Sequence, residues 1–577
     1  MDQQKRLLLA IALSFGLTLV WTQFVWKPQA EAEAEALALL DAGTADAGEA
    51  AQARAPVPTT DTPDGEVAAP SEAPIREVTA ARPSTRLTFS TEGAGLVSAE
   101  LQGEREREEM HLTLVEGWQK LFGKKFDDAP QMNLARAVRG VSPNLGLSIE
   151  GPDALSRLAR YTVTEETADR VVFSTRQGPW EVTRTFTWPS DAPNDVDPRA
   201  YQYELSVTVK NTSATSRQGE LGLHTARAID PSKEEAPSMF GGIGNQASVL
   251  CRANDDVLRM TPPSPGWFSS GDPDWDQEKQ GTLAFVGIDQ QYFLTALWPK
   301  EATAGRCVVT AKHTSREAAV FVPFTLGAGE SVTKHFGAFL GPKDHGMLQA
   351  IDGGTPKLEE TVDFGIWAAI CRVLLLALRF FHSLAGNWGL AIILLTVLVK
   401  LLLLPLTHKA MVSAESMKKL QPKMEELRKK FPDDREKQNL EMMKLYQEAK
   451  VNPLGGCLPL LLQLPIWAAL FTTLRTSYEL YGEPFWGVWS NLTTKDVTYL
   501  LPFLLGITMI VTQRLQPQMM DKQQAFLMTW VMPIFFTAIM MNYPSGLALY
   551  IFTNNLLSIV QQYALRRYLA GKAEPAK

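Results

Sequence analysis

Cysteine is scarce in this chain: Cys251, Cys307, Cys371 and Cys457 are the 4 among 577 residues. No two stand at the short spacing of a metal-binding pair, which excludes a cysteine-ribbon zinc site. The 7 histidines form no HExxH pair, and no phosphate-cradling GxxxxGK[ST] loop or GxSxG nucleophile elbow is present. Nucleotide hydrolysis and peptide hydrolysis therefore lack an apparatus, and no cofactor or metal is implied. A basic excess is also missing. The formal net charge is −7, with the acid concentrated in the first half, so a nucleic-acid partner is not suggested. Cys251 and Cys307 share one polar region and read as two separate buried thiols; a disulfide stays open if that region is exported.

What the chain has in quantity is apolar sequence, unevenly placed. Residues 28–360 are polar, and residues 361–563 hold most of the long apolar runs. The chain opens MDQQKR and continues LLLAIALSFGLTLVWTQFVW, with Trp21, Phe24 and Trp26 at the far end. Two cations, about twenty apolar residues and a terminal aromatic belt read as a membrane anchor over 1–27 with a cytoplasmic N-terminus. A cleaved signal peptide is the alternative, although its apolar core is ordinarily only about 7–15 residues. Residues 28–84 are Ala, Glu, Pro, Thr and Asp with almost no large apolar side chain, the composition of a flexible tether.

Period-two alternation then takes over. Tyr201, Tyr203, Leu205, Val207 and Val209 alternate with polar residues, and WEVTRTFTW and ESVTKHFGAFL do the same. Many short strands separated by turn residues predict an all-β sandwich-type domain over 85–350, outside the cytoplasm. The run GEREREEM at Gly103–Met110 reads as a solvated edge or loop.

Spans of about 387–407, 457–477, 498–515, 526–542 and 546–563 follow, each close to the length needed to cross a bilayer. Residues 361–385 are long enough too, but Arg372 and Arg379 fall on one helical face. That pattern predicts an amphipathic helix lying along the membrane surface rather than a span. Loop charge supports this count: residues 408–454 carry eleven Lys and Arg, whereas 478–497 carry only Lys495. The positive-inside rule places 408–454 and the tail 564–577 in the cytoplasm only if 361–385 does not cross. The expected architecture is an anchor, an exported β domain and a five-span α-helical core over 386–563.

Within 408–454, Met417, Leu420, Met424, Leu427 and Phe431 step by three and four, a coiled-coil seam. Asp433 and Glu436 resemble a capping box that opens a second helix carrying Leu440, Met443, Leu445 and Tyr446. The loop is thus a helical hairpin, either packed on itself or offering a landing surface. Met519, Met520, Met528, Met532, Met540 and Met541 cluster around the fourth loop and fifth span; such side chains suit an adaptable surface or ordinary membrane packing.

One charge stands out. Lys400 lies inside ILLTVLVKLLLLPLT, Ile393–Thr407. A cation near mid-bilayer costs about 2.5–3.5 kcal/mol on insertion scales and usually faces a bundle interior or a wet cavity. Snorkelling to the interface is the alternative, because His408 is only about 12 Å away along a helix. Thr396 sits one turn before Lys400 on the same face. Gln463, Gln513, Thr508, Arg475 and Asn555 are further polar residues in or beside the spans.

Asn452-Pro453-Leu454-Gly455-Gly456-Cys457 with LPLLLQLPIW, Gly386-Asn387-Trp388-Gly389, EMMKLYQEAK and YPSGLALY together resemble the YidC/Oxa/Alb family of membrane protein insertases, over about 360–568. The anchor and large β domain are similar to its Gram-negative branch, where the domain is a periplasmic β-supersandwich. The resemblance implies a bacterial inner-membrane protein, not an enzyme. It would move hydrophobic segments of nascent membrane proteins through a cytoplasm-open groove into membrane lipid, alone or with the Sec translocon and ribosome. It assigns Lys400 as the groove charge, where the family usually has arginine, with Thr396, Gln463 and Gln513 as groove polar residues. Client contacts would be Leu464, Pro465, Trp467, Phe536, Ile539, Met540 and Tyr550. The competing classes are a transporter or channel, and a membrane scaffold with an exported binding domain.

Overall fold

The structure, a computed structural model, describes residues 74–105, 131–135, 143–189, 197–229, 246–254, 256–261, 275–312, 314–431, 434–448, 458–486, 489, 491–515 and 522–573. The readings on 1–27, on most of 28–84 and on the Asn452–Cys457 motif fall outside these residues.

The first half is all β. A 4-stranded sheet is formed by Glu77–Ala81, Thr85–Ser90, Gly95–Arg105 and Gln131–Asn133. A 13-stranded antiparallel sheet runs from Gly146–Glu150 at one edge to Thr162–Glu166 at the other. The alternation behaves as strand geometry requires: Tyr203, Leu205, Val207 and Val209 are buried along Gln202–Asn211. The same rule buries Arg184, the inward residue between Val182 and Phe186 on Trp180–Thr187. Its guanidinium donates to the carbonyls of Gly93 and Ala94, both at 2.7 Å, and of Leu145. Burial pushes its pKa down to about 10. The arginine therefore ties backbone turns of the first sheet to the large one.

Cys251 and Cys307 form a disulfide, with a Cα–Cα distance of 6.3 Å. This corrects the expectation of two separate thiols. Their strands, Ser248–Ala253 and Thr303–Ala311, both pair with the long strand Trp275–Asp289, and that third strand brings the sulfurs together. Glu104, expected on a solvated edge, accepts a hydrogen bond from the Tyr478 hydroxyl.

A chain of polar groups centred on buried His224 links three neighbouring strands of the large sheet. Ser148 Oγ lies 2.9 Å from His224 Nε2, and His224 Nδ1 lies 3.1 Å from Glu317 Oε1. Burial, only partly opposed by the Glu317 hydrogen bond, pushes the His224 pKa below its ordinary value. The unfolded chain takes up the imidazole proton below about pH 6.5, while the folded chain does so only at lower pH. Stability therefore falls as pH drops through this window. Thermal melts of the full chain between pH 7 and pH 5 are expected to show this loss, flattened in His224→Gln. Identical slopes for both proteins would contradict it.

The helices follow. After α1 (His345–Ala350) come α2 (Ala368–Ala385), α3 (Trp388–Lys430), α4 (Arg435–Glu448), α5 (Leu458–Thr476) and α6 (Leu500–Leu515). Next, α7 joins Lys522–Phe526, a π turn at Leu527–Val531 and Met532–Met540, and α8 is Ser545–Ala573. The π turn lies just ahead of Pro533, whose ring cannot accept a regular upstream turn. Three helices among the described residues are long and apolar enough to cross a membrane: Gly365–Ala385, Trp388–His408 and Gln523–Met540, with a shorter apolar helix at Leu500–Leu515.

Local signals in the motifs become contacts. Gly386 ends α2 in the left-handed region at φ 65, and Asn387 caps α3 by accepting from Leu390 N at 3.1 Å. Gly389 is required because a Cβ there would lie 2.1 Å from the Phe485 ring. At the last turn, Ser545 N and Gly546 N donate to Thr494 O at 2.7 Å and Leu492 O at 2.9 Å.

The hairpin departs from expectation in three ways. α3 is one helix of 43 residues running through Pro405 and Pro422, so the second span and the first hairpin helix are continuous. Its partner α4 is capped by Asp434, which accepts from Lys437 N at 3.0 Å, while Asp433 lies outside the described residues. The seam closes where the Tyr446 hydroxyl meets Met424 Sδ at 3.6 Å, but Leu440 and Met443 are 53% and 56% exposed and face outward.

Both ends of the α2 region are tied to the β domain or to loops beside it. Arg259 of the β domain donates to Thr361 O at 3.0 Å. Arg379 pairs with Asp344 at 2.8 Å and with Glu479. Asn387 Nδ2 reaches Pro484 O at 3.2 Å. Beside these contacts, Phe293 meets Tyr481 edge-on and Tyr292 packs against it at a tilt, with ring centroids 5.0 Å and 5.1 Å apart.

Candidate functional site

Lys400 lies in α3, and its side chain crosses to α8. Nζ donates to Ser558 Oγ at 2.7 Å, and that hydroxyl donates to Asn554 O at 2.7 Å. Among the described residues no carboxylate pairs with Lys400. The ammonium closes one side of a polar pocket of about 200 Å³, lined also by Met509, Thr512 and Gln513 of α6 and by Asn554, Asn555 and Ser558 of α8. The buried amide nitrogen of Asn555 has no hydrogen-bond partner among the described residues. A buried donor carries a free-energy cost unless it is paired, and the polar lining of this pocket suits water or another polar group.

On the other side of Lys400 is a larger, open and almost wholly apolar groove of about 790 Å³ between α3 and α8. α8 makes both compartments by helical periodicity. Asn554, Asn555 and Ser558 share one stripe, and Leu557, Val560, Ala564 and Leu565 share the next. Among the described residues, Lys400 is the one that lines both.

The expected site residues are only partly gathered here. Gln513 lines the polar pocket. Thr396 does not: it is buried, and its hydroxyl donates to Ile392 O at 2.6 Å within its own helix. The side chains of Gln463 and Leu464 lie outside the described residues. Pro465 lies inside α5. Trp467 is partly buried and stacks on Phe471 at 5.9 Å, and Phe471 meets Tyr543 at 6.0 Å. Phe536 and Ile539 pack partly buried on the helical core, whereas Met540 and Tyr550 are fully enclosed in it. Those last two therefore present no surface as they stand. The exposed apolar side chains of α7 are Phe526, Met528, Trp530, Val531, Met532 and Ile534.

Sequence reasoning missed Asn554, Ser558, Thr512 and Met509. A signal for the first two existed in the spacing FTNNLLS, which puts Asn554 and Ser558 one helical turn apart. Nothing in the sequence showed that this turn faces Lys400.

A set of apolar helices with an interior cation, joined to a large β domain, defines a multi-pass membrane protein with an exported domain. Comparison with known proteins narrows this. Residues 380–572 match the family described as 60Kd inner membrane protein, and residues 145–377 match the YidC periplasmic domain. The membrane protein insertase YidC of Anaeromyxobacter sp. (strain Fw109-5) is 35% identical over 522 residues, 88% of each chain. That of Syntrophus aciditrophicus (strain SB) is 30% identical over 586 residues, covering 98% of this chain and 99% of the other. A solved structure described as an active YidC insertase with the first transmembrane domain resolved matches at 18% identity and a TM-score of 0.37, over 84% of this chain and 92% of that one. The chain belongs to the YidC family of membrane protein insertases. It is an inner-membrane protein, and its β region corresponds to the family's periplasmic domain.

Proposed function

We propose that this protein takes hydrophobic segments of nascent membrane proteins from the cytoplasmic side and releases them sideways into lipid, without acting as an enzyme. The polar pocket beside Lys400 receives the short hydrophilic flank of the client. The apolar segment travels along α5 and α7, past Leu464, Pro465 and Trp467 and the face of Phe536 and Ile539. Burial of apolar surface, at about 25 cal/mol per Å², and the membrane potential acting on charges supply the drive. The observation that carries this reading is a cation with no paired carboxylate among the described residues, set in a polar pocket beside an unsatisfied buried amide. Polar and charged side chains deep in an apolar bundle are costly and mark functional sites.

Five spans, α3 to its His408 turn, α5, α6, α7 and α8, complete the core, with both termini cytoplasmic. α2 lies along the periplasmic surface, because the contacts of Thr361, Arg379 and Asn387 hold both its ends to the β domain or its neighbouring loops. The hairpin of α3 and α4 faces the cytoplasm, with exposed Leu440 and Met443 available to the ribosome or the Sec translocon.

Site-specific photocross-linking tests this. A photoreactive residue at Gln513 is expected to capture the polar flank of a stalled client, and one at Phe536 its apolar segment. Capture at neither position, in protein that still inserts the client, would contradict the pathway.

A further inference from the structure

We propose that the apolar groove between α3 and α8 is a phospholipid site. One acyl chain of a cytoplasmic-leaflet lipid lies in the groove and covers Lys400 from the bilayer. The length of the groove decides the occupant. It runs from Val397 to His408, about 16 Å of helix. One leaflet of hydrocarbon is about 15 Å deep, half of the roughly 30 Å core that a spanning peptide must cross. The groove thus fits a lipid tail and is half as long as a client helix requires. Its rim faces outward: Leu401 and Val560 are 60% and 59% exposed, which for an apolar rim in a membrane chain means contact with lipid.

The back of the groove is closed by two hydrogen bonds between the helices. Lys400 Nζ donates to Ser558 Oγ at 2.7 Å, and Gln561 Nε2 donates to Thr407 Oγ1 at 2.8 Å. The first separates the groove from the polar pocket. The charge pattern orients the lipid. His408 ends the groove on α3, and exposed Arg567 follows Leu565 on α8, so basic groups stand where a phosphate would lie. The tail then supplies the apolar wall that leucines alone leave open, while Lys400 stays turned toward Ser558. This goes beyond client handling and rests on that reading only for which leaflet the His408 end faces.

Native mass spectrometry of the full chain, titrated with phosphatidylglycerol, tests the site. Ala564 lines the groove, and Ala564→Trp fills it; Phe503→Trp changes an exposed apolar residue of α6. The wild type and Phe503→Trp are expected to retain bound lipid, whereas Ala564→Trp binds it about tenfold more weakly or not at all. Equal retention by all three would overturn the assignment. If Ala564→Trp does not purify as a folded protein, a photoreactive residue at Val560 replaces it. Cross-linking to phospholipid supports the site, and cross-linking to a client segment overturns it. Loss of client capture at Gln513 with lipid binding intact would refute the client pathway and leave this site standing.

Discussion

Lys400→Leu is expected to lower insertion of a client with an acidic translocated flank by about tenfold or more at equal expression, and Lys400→Arg to keep most of it. The pocket lies among apolar helices, and a client carboxylate entering it meets a membrane cost of about 2.5–3.5 kcal/mol. A cation within about 4 Å offsets this by several kcal/mol at the effective dielectric of a partly buried site. Leucine removes that attraction and leaves Ser558 without the donor it now has at 2.7 Å. Arginine keeps the charge and can reach Ser558, though with a planar fork in place of a single ammonium. A client with an uncharged flank does not draw on the attraction, so its insertion should change little. In vivo pulse-labelling of the two clients in a depletion strain separates these effects. Equal loss for both would point to a damaged fold, and no loss for either would reduce Lys400 to an anchoring contact.

The second large effect concerns the β domain. Replacing both Cys251 and Cys307 by alanine should cost about 4 kcal/mol, the loop-closure value for a crosslink spanning 56 residues. At roughly 2–4 °C per kcal/mol for a domain of this size, the melting temperature should fall by about 10 °C. Both cysteines are fully buried, so the folded domain should resist mild reductant and lose stability only when reduced while unfolded. A melting temperature unchanged by the double substitution would show that the pairing of Trp275–Asp289 with both strands already fixes this region. Conditions matter too: the crosslink forms only in an oxidising compartment, as expected for the family's periplasmic domain.

Most strands were legible because a half-buried strand writes its period directly into the sequence. Tyr203, Leu205, Val207 and Val209 declare one face without help from the rest of the fold. Arg184 obeys the same period, yet its burial depends on the carbonyls of Gly93, Ala94 and Leu145, which lie far away in the chain. The disulfide was hidden for the same reason: the cysteines belong to strands that do not pair with each other, and only their shared pairing with Trp275–Asp289 brings them close. Residues 388–408 were legible as an apolar helix. Its continuation into the first hairpin helix was not, because the sequence turns from apolar to charged after Thr407 while the backbone helix runs on to Lys430.

The site divides similarly. An intramembrane lysine announces itself, since few structural roles justify its cost. Its partners do not, because each is a modest polar residue whose meaning depends on which helices converge. Gln513 reached the pocket. Thr396, on the expected face of α3, instead turned its hydroxyl onto Ile392 O at 2.6 Å, an intrahelical bond always open to threonine. Asn554 and Ser558 could be recognised only once α8 was seen to lie beside α3.

The most direct measurement is a charge reversal shared between protein and client. Lys400→Glu is combined first with the acidic-flank client and then with the same client carrying lysines at those flank positions, and insertion is followed by protease protection. Lys400→Glu is expected to block the acidic client and to restore insertion of the basic one. Equal insertion of both clients by Lys400→Glu would contradict an electrostatic role for the pocket.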